Sequence, residues 1–243
     1  MEEISSPVLQ EEKTMGGASK IINIFFEPRR VFESLKIKPT WLVPFIIAVL
    51  LAMGFLYFAF PLIMDQQVEK IQENERIPEE QKEQIIEGMR EKDHPPLWQL
   101  ALPPVFGLIV LVVVAGILFF VFNVILGGDS TYLRALSVYS YSGLVAIPST
   151  IVKFPLIMIK GDLNVQTSLA LLLSANAKDT FLYSVLSSFD IFSFWQVILV
   201  SMGMGVMYKY STKKAFVAVL VLWIIYILAK SGLSTLLGGA FSF

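Results

Sequence analysis

The stretch from Val105 to Pro148, "VFGLIVLVVVAGILFFVFNVILGGDSTYLRALSVYSYSGLVAIP", decides the fold. Its first half is an apolar run that ends at Leu126, within a segment long enough to cross a hydrocarbon core about 30 Å thick. A polar turn, "GGDSTYLR", follows, and the chain then returns to apolar residues mixed with serines and tyrosines. Because backbone in lipid must satisfy its own hydrogen bonds, the apolar run predicts a membrane-spanning α-helix.

Similar apolar runs recur along the whole chain of 243 residues, which has a mean hydropathy of +0.67 and only 16% charged residues. A soluble domain usually carries about 25% charged residues. The apolar residues come in blocks and do not alternate with polar ones, which disfavours a β-barrel. We therefore predict an all-α polytopic membrane protein, with a transmembrane domain over residues 41–240 and five spans: Trp41–Met64, Leu97–Leu126, Leu136–Ile159, Ile191–Tyr208 and Ala215–Leu237.

The distribution of Lys and Arg predicts the orientation of these spans, because loops that stay in the cytoplasm carry more of them. The segment before the first span, the second-to-third connection and the fourth-to-fifth connection are basic: they contain Lys20, Arg29, Arg30, Lys36, Lys38, Arg134, Lys209, Lys213 and Lys214. The first-to-second connection also contains bases, but acidic residues offset them. We expect a cytoplasmic N-terminus and an external C-terminus.

The N-terminal region divides into two pieces. Residues 1–18 are polar and predict a disordered tail. Residues 19–40 have apolar positions at near-helical spacing and predict an amphipathic segment in the headgroup region, with Pro28 starting a second short helix. Four basic residues are candidates for membrane-surface binding: Arg29, Arg30, Lys36 and Lys38. The alternative is that the segment only anchors the first span.

Two connections are long enough to carry structure outside the membrane. Residues 65–96 form an external insertion in which Pro78, followed by two glutamates, predicts the start of a solvated helix with a weak apolar seam. Residues 160–190 contain two apolar stretches that are too short to span. These stretches predict re-entrant or interfacial helices, or a cap on the bundle.

The sequence gives little sign of catalytic chemistry. It contains no cysteine, and a single histidine, His94, cannot form a metal cluster. No nucleophile-elbow, phosphate-loop or zinc-protease motif is present. We predict a protein that is not an enzyme and has no cofactor or metal. The net charge of −1 gives no reason to expect a nucleic-acid partner.

Three ionisable residues fall at a similar depth in the outer half of the membrane: Lys153, Asp190 and Lys230. A charged group at this depth is a functional candidate by default. The three could pair in a polar site between helices. Alternatively, both lysines extend their ammonium groups to the headgroups and nothing binds there. Pro148 and Pro155 flank Lys153 and predict a kink at that point.

The polar turn after Leu126 is predicted to be tight. Gly127 and Gly128 would end the second span, where glycine takes the left-handed conformation. Asp129 or Ser130 would cap the next helix, and Tyr132 and the later tyrosines would lie at the membrane interface. The remaining candidate residues of this turn motif are Arg134, Tyr139, Tyr141 and Pro148.

Three stretches resemble a known family. "GGDSTYLRALSVYSYSGLVAIP" is similar to the signature of the Yip family, the Ypt/Rab-interacting membrane proteins. "FFEPRRVFESLKIKPTWLVP" and "FDIFSFWQVILVSMGMG" are similar to the start of the first and fourth spans in its prokaryotic branch. The resemblance implies five spans, a cytoplasmic N-terminus and, for this branch, a prokaryotic cytoplasmic membrane. Eukaryotic relatives act in vesicle traffic with small GTPases, but this chain lacks their Asp-Leu-Tyr-Gly-Pro motif, so a GTPase is a doubtful partner.

Two functions remain open. The first is a non-enzymatic adaptor or organiser in membrane trafficking or membrane homeostasis, whose partners are the lipid bilayer and a membrane protein or a second copy of the chain. The second is a small transporter or lipid-handling protein that uses a polar site near Lys153, Asp190 and Lys230. A cavity lined by these charges would favour transport, whereas a closed bundle would favour the organiser.

Overall fold

The computed structural model describes residues 15–90, 94–163, 165, 167–173 and 180–236. Most of the predicted tail, residues 1–18, therefore lies outside the described residues. Two short helices come first: α1 (Gly17–Phe26) and α2 (Pro28–Ile37). Pro28 does begin a second helix, as its position suggested, because its missing N–H is not needed in a first turn.

Five segments are long and apolar enough to cross a membrane: Leu42–Gln72, Leu97–Ile125, Tyr132–Lys160, Ile191–Tyr208 and Thr212–Thr235. The prediction of a five-span all-α membrane protein is confirmed. The first span is the single helix α3 (Leu42–Gln72), which extends eight residues beyond the predicted end at Met64. The apolar pattern marks only the part suited to lipid, while the residues after Met64 are good helix formers and continue the helix.

The second and third spans are each assembled from several pieces. The second joins the single turn α5 (Leu97–Leu100) and α6 (Leu102–Phe120) to a π-helical turn, Val121–Ile125. The third joins α7 (Tyr132–Ser142), a 3₁₀ turn at Gly143–Val145 and α8 (Ala146–Lys160). The irregular turn lies before Pro148, not beside Lys153, because Pro148 has no N–H to donate to the carbonyl one turn earlier. The kink predicted beside Lys153 stays a prediction.

The helix cap predicted in the polar turn was also wrong. α7 begins at Tyr132, so Thr131 holds the N-cap position, and its side chain makes no capping hydrogen bond. Asp129 and Ser130 precede that position. The left-handed glycine is confirmed at Gly127, where φ is +66°.

The last two spans form the most extensive helix pair in the bundle. They are α10 (Ile191–Tyr208) and α11 (Thr212–Leu236), joined by a three-residue turn. At the end of the molecule where that turn lies, the N-terminal helices dock onto α7 and α10. Several residues with no exposed surface form the core there: Ile24, Val31, Phe32, Leu35, Phe122, Ala135, Val138 and Met204.

The opposite end carries the smaller elements. α4 (Glu79–Arg90) follows Pro78, as the sequence suggested, and packs against α3. Its Lys82 is buried and donates to the carbonyl of Gln72 at 2.9 Å. A 3₁₀ turn at Leu169–Leu172 and α9 (Phe181–Ser187) lie between the third and fourth spans. α9 packs against α11, in agreement with the prediction that this connection holds pieces too short to span.

Candidate functional site

A polar cleft of about 860 Å³ opens where α2 meets the end of the bundle. We call it the α2 cleft. It is lined by residues of α2, by Arg134 of α7 and by residues between 202 and 212 at the α10–α11 turn. One lining side chain, Glu33, is acidic, whereas five are cationic: Arg29, Arg30, Lys36, Arg134 and Lys209. The cleft is therefore strongly basic.

Two of these cations hold the cleft together through backbone carbonyls. The Lys36 ammonium donates to the carbonyl of Val206 at 3.0 Å, and Arg134 Nε donates to the carbonyl of Lys36 at 3.1 Å. Val206 lies in the last turn of α10, where the helix dipole favours a positive charge. Arg134, a candidate residue of the turn motif, thus ties α7 to α2, while Lys36 ties α2 to α10.

The other basic residues of α2 are more exposed. Arg29 forms an ion pair with Glu33 at 3.1 Å, and Arg30 forms one with Glu27 at 2.8 Å. All four side chains are at least half exposed, so each pair contributes only about 0–1 kcal/mol. Lys38, at the C-terminal cap of α2, is also exposed. Membrane-surface binding by these residues stays a prediction.

The α10–α11 turn contributes a lysine in an unusual conformation. Lys209 has φ 54° and ψ 31°, the left-handed region. It is the one non-glycine residue with positive φ in the part of the chain that the structure describes. A side chain at such a position costs about 1 kcal/mol or more relative to glycine. Sequence analysis used Lys209 only as part of the charge distribution. Because a helix commonly ends in glycine, a lysine at the end of the fourth span could have indicated a residue retained for its side chain.

The polar turn after Leu126 packs against the end of α10, next to the cleft. Gly128 lies against Tyr208, since a Cβ at this glycine would be 2.4 Å from Tyr208 Cδ1 and 2.7 Å from the Phe122 carbonyl. Asn123 accepts a hydrogen bond from the Tyr208 hydroxyl and donates to the Ser130 carbonyl at 3.1 Å. Sequence analysis missed Asn123, a lone amide in an otherwise apolar run.

The other predicted motif residues divide between core and surface. Asp129 is exposed, whereas Ser130 is buried. Tyr141 is 1% exposed and its hydroxyl shares a hydrogen bond with Thr40 at 3.3 Å, so it packs inside the protein and not at a wet interface. Tyr139 is half-buried against the same core, and Pro148 lies in the first turn of α8. None of these residues lines the cleft.

At the opposite end, the structure pairs two of the three predicted membrane charges. Lys153 Nζ lies 3.0 Å from Asp190 Oδ2. Asp190 is 6% exposed, caps α10 by accepting from the Phe192 amide at 2.8 Å, and also accepts a hydrogen bond from the Thr167 hydroxyl. Burial alone would raise the pKa of Asp190, but these hydrogen bonds and the Lys153 charge outweigh it and hold the pKa below its usual range.

Lys230 does not share in this pair. It lies on α11, and among the described residues the polar contacts of the Asp190 carboxylate come from Lys153, Thr167 and the Phe192 amide. The ammonium of Lys153 also lies 5.7 Å from the ring centroid of Phe192. The structure therefore brings together two of the three residues of the polar site predicted from the sequence, and their ion pair joins α8 to the start of α10.

Comparison with known proteins gives one match. A family model described as the Yip1 domain matches residues 22–232, which is most of the chain. The match begins within α1 and ends within α11, so it includes the first four spans, most of the fifth, and every residue that lines the α2 cleft except Met15. A search of curated proteins found no match, and neither did a search of solved structures.

Proposed function

The chain belongs to the Yip1 domain family, and we propose that it is a non-enzymatic membrane adaptor that works through the face formed by α1 and α2. The adaptor role is inferred from how the N-terminal helices are held and from which side chains they leave on the surface.

One observation carries the proposal: α2 is fixed to the bundle and presents its charged side outward. Val31, Phe32 and Leu35 have no exposed surface, whereas Arg29, Arg30 and Glu33 are exposed. The hydrogen bonds of Lys36 and Arg134 add to this attachment. A fixed pattern of charges gives a binding partner specificity and a defined register, which a freely moving tail would not provide.

The distribution of Lys and Arg supports placing this face in the cytoplasm. The resemblance to the prokaryotic branch supports a prokaryotic cytoplasmic membrane as its location. The proposed partner is a second membrane protein or a second copy of this chain, since either would present its own surface at the same height above the bilayer. A small GTPase is not proposed, because the chain lacks the motif that the eukaryotic relatives carry.

Transport or lipid handling is the alternative, and the ion pair between Lys153 and Asp190 is the observation in its favour. A transport site near these residues should be a cavity that they line. The α2 cleft lies at the other end of the bundle, and its lining includes none of Lys153, Asp190 and Lys230. Both charges of the pair are engaged with each other, which favours a structural role.

Photo-cross-linking in intact cells tests the adaptor proposal. A photoreactive amino acid placed at Arg29 or Glu33 should give a discrete protein adduct, either with another membrane protein or with a second copy. The same group at Phe26, which is 78% exposed on α1, serves as a control for contacts with lipid. The proposal fails if positions 29 and 33 give no protein adduct, and the alternative gains if Asp190→Asn abolishes solute flux in proteoliposomes.

A further inference from the structure

The α2 cleft has the chemistry of an anion site. Its cations come from three separate parts of the chain: α2, the start of α7 and the α10–α11 turn. Packing brings Arg134 and Lys209, which are 75 positions apart in the sequence, beside the same cavity. Bringing like charges together disfavours the fold unless something of opposite charge offsets the repulsion.

The acidic residues of the described protein offset only part of this charge. Arg29 and Arg30 have partners in Glu33 and Glu27. Within the described ranges, neither Arg134 nor Lys209 forms an ion pair with an acid. Arg134 uses its Nε for the carbonyl of Lys36, and a guanidinium has four further N–H donors. Those donors match the oxygens of a phosphate group in geometry and charge.

Lys209 provides an independent argument for a ligand. A lysine in the left-handed conformation is less stable than a glycine would be at the same place. Strained residues of this kind cluster at binding sites, where the side chain is needed. The backbone strain at Lys209 makes sense if its ammonium group serves the cleft that it lines. Ser211 and Thr212, at the N-terminal end of α11, line the same wall and add hydroxyl donors.

We propose that the α2 cleft binds a phosphate-bearing ligand, with Arg134 and Lys209 as its principal contacts. A phosphate group could reach the α2 cleft, at the end of the helix bundle, from two sources. One is the headgroup of an anionic phospholipid, which lies at the depth where the spans end. The other is a water-soluble phosphorylated compound that enters from the aqueous side. A cleft of about 860 Å³ is large enough for either. This inference does not depend on the adaptor role.

Binding to the purified full-length protein tests the proposal with two probes. The first is inorganic phosphate, titrated into protein in a zwitterionic detergent and followed by thermal shift. The second is phosphatidic acid in nanodiscs of otherwise zwitterionic lipid, with retained lipid measured by native mass spectrometry. Binding of phosphatidic acid alone identifies a lipid headgroup as the ligand, whereas binding of both probes identifies a site open to soluble phosphate. Binding of neither overturns the proposal.

Variants separate the cleft from general surface charge. Lys209→Gly removes a cation and also relieves the left-handed strain, so it should weaken binding about tenfold or more while the unliganded protein melts no lower than wild type. Arg134→Gln should weaken binding similarly. Lys213→Gln is the matched control, since Lys213 lies in the same region but outside the lining of the cleft, and it should bind like wild type. Equal affinity in all three variants, or an equal loss in all three, would overturn the proposal.

Discussion

At the scale of single residues, two adjacent glycines serve different purposes. Gly127 has φ +66°, but a side chain there would meet nothing within 4 Å. Gly128 has no positive φ, but a Cβ there would overlap both the Tyr208 ring and the Phe122 carbonyl. The first glycine allows the turn, and the second allows the turn to approach the end of α10. The sequence predicted the left-handed conformation for both glycines, and of the two only Gly127 adopts it.

Substitution of Gly128 should therefore destabilise the protein through a steric clash. We expect Gly128→Ala to cost about 1–3 kcal/mol, because Phe122 contributes backbone that cannot move aside easily. Gly127→Ala should cost about 1 kcal/mol through backbone strain alone. Gly54→Ala is the control, since Gly54 lies inside α3 with open space around it and alanine is the better helix former. Thermal unfolding in detergent measures all three, and equal melting temperatures would contradict the argument.

The ion pair at the opposite end is the second feature that depends on single residues. Asp190→Asn keeps a good N-cap residue for α10 but removes the charge that Lys153 faces. We expect Asp190→Asn to destabilise the protein more than the double variant Asp190→Asn with Lys153→Met, because the partly buried Lys153 charge is left without its partner. The coupling in a double-mutant cycle should be about 1 kcal/mol or more.

Lys160→Met provides the comparison for this cycle. Lys160 ends the same helix, α8, and is exposed. Its substitution should combine additively with Asp190→Asn. A coupling for Lys153 no larger than that for Lys160 would show that the pair contributes nothing specific and that both lysines act as surface charges.

At the scale of elements, helix boundaries that depend on the local sequence could be predicted. Helix boundaries that depend on tertiary contacts could not. Pro28 is the first residue of α2, and Pro78 directly precedes α4, as their local chemistry predicts. The start of α7 could not be placed, because Asp129, Ser130 and Thr131 are all acceptable N-caps. The choice depends on Asn123, which binds the Ser130 carbonyl, and on Gly128, whose amide donates to the Phe122 carbonyl at 2.9 Å. Because of these contacts, the chain does not become helical before Thr131, which is itself extended.

The packing of α2 against α10 should contribute to the stability of the protein. Phe32 has no exposed surface, and its ring lies against Gly203 of α10. Phe32→Ala should cost about 3–5 kcal/mol if the helix is part of the folded bundle. Phe26→Ala is the matched control, because Phe26 is 78% exposed, and it should leave the melting temperature in detergent almost unchanged. Similar melting temperatures for the two variants would mean that α2 rests on lipid and not on α10.

At the scale of the whole molecule, hydropathy and charge were sufficient to predict the five spans. They were not sufficient to predict the α2 cleft. Arg29, Arg30, Lys36 and Arg134 were each candidates from the sequence, but on separate grounds: three for the membrane surface and one for a turn. Their convergence with Lys209 follows from the packing of α2 and α7 against α10. Long-range packing of this kind leaves no periodic signal in the sequence, so the residues could be found but not the site.

Orientation in the membrane is the property of the whole molecule that remains to be measured. If the end with α1 and α2 faces the cytoplasm, Ser211→Cys should react in intact cells only with thiol reagents that cross the membrane. Glu80→Cys, on α4 at the opposite end, should react with reagents that do not cross. The chain contains no native cysteine that would obscure the result, and both positions are exposed. The reverse pattern would invert the bundle and place the α2 cleft outside the cell, whereas labelling of both positions from outside would contradict the odd number of spans between them.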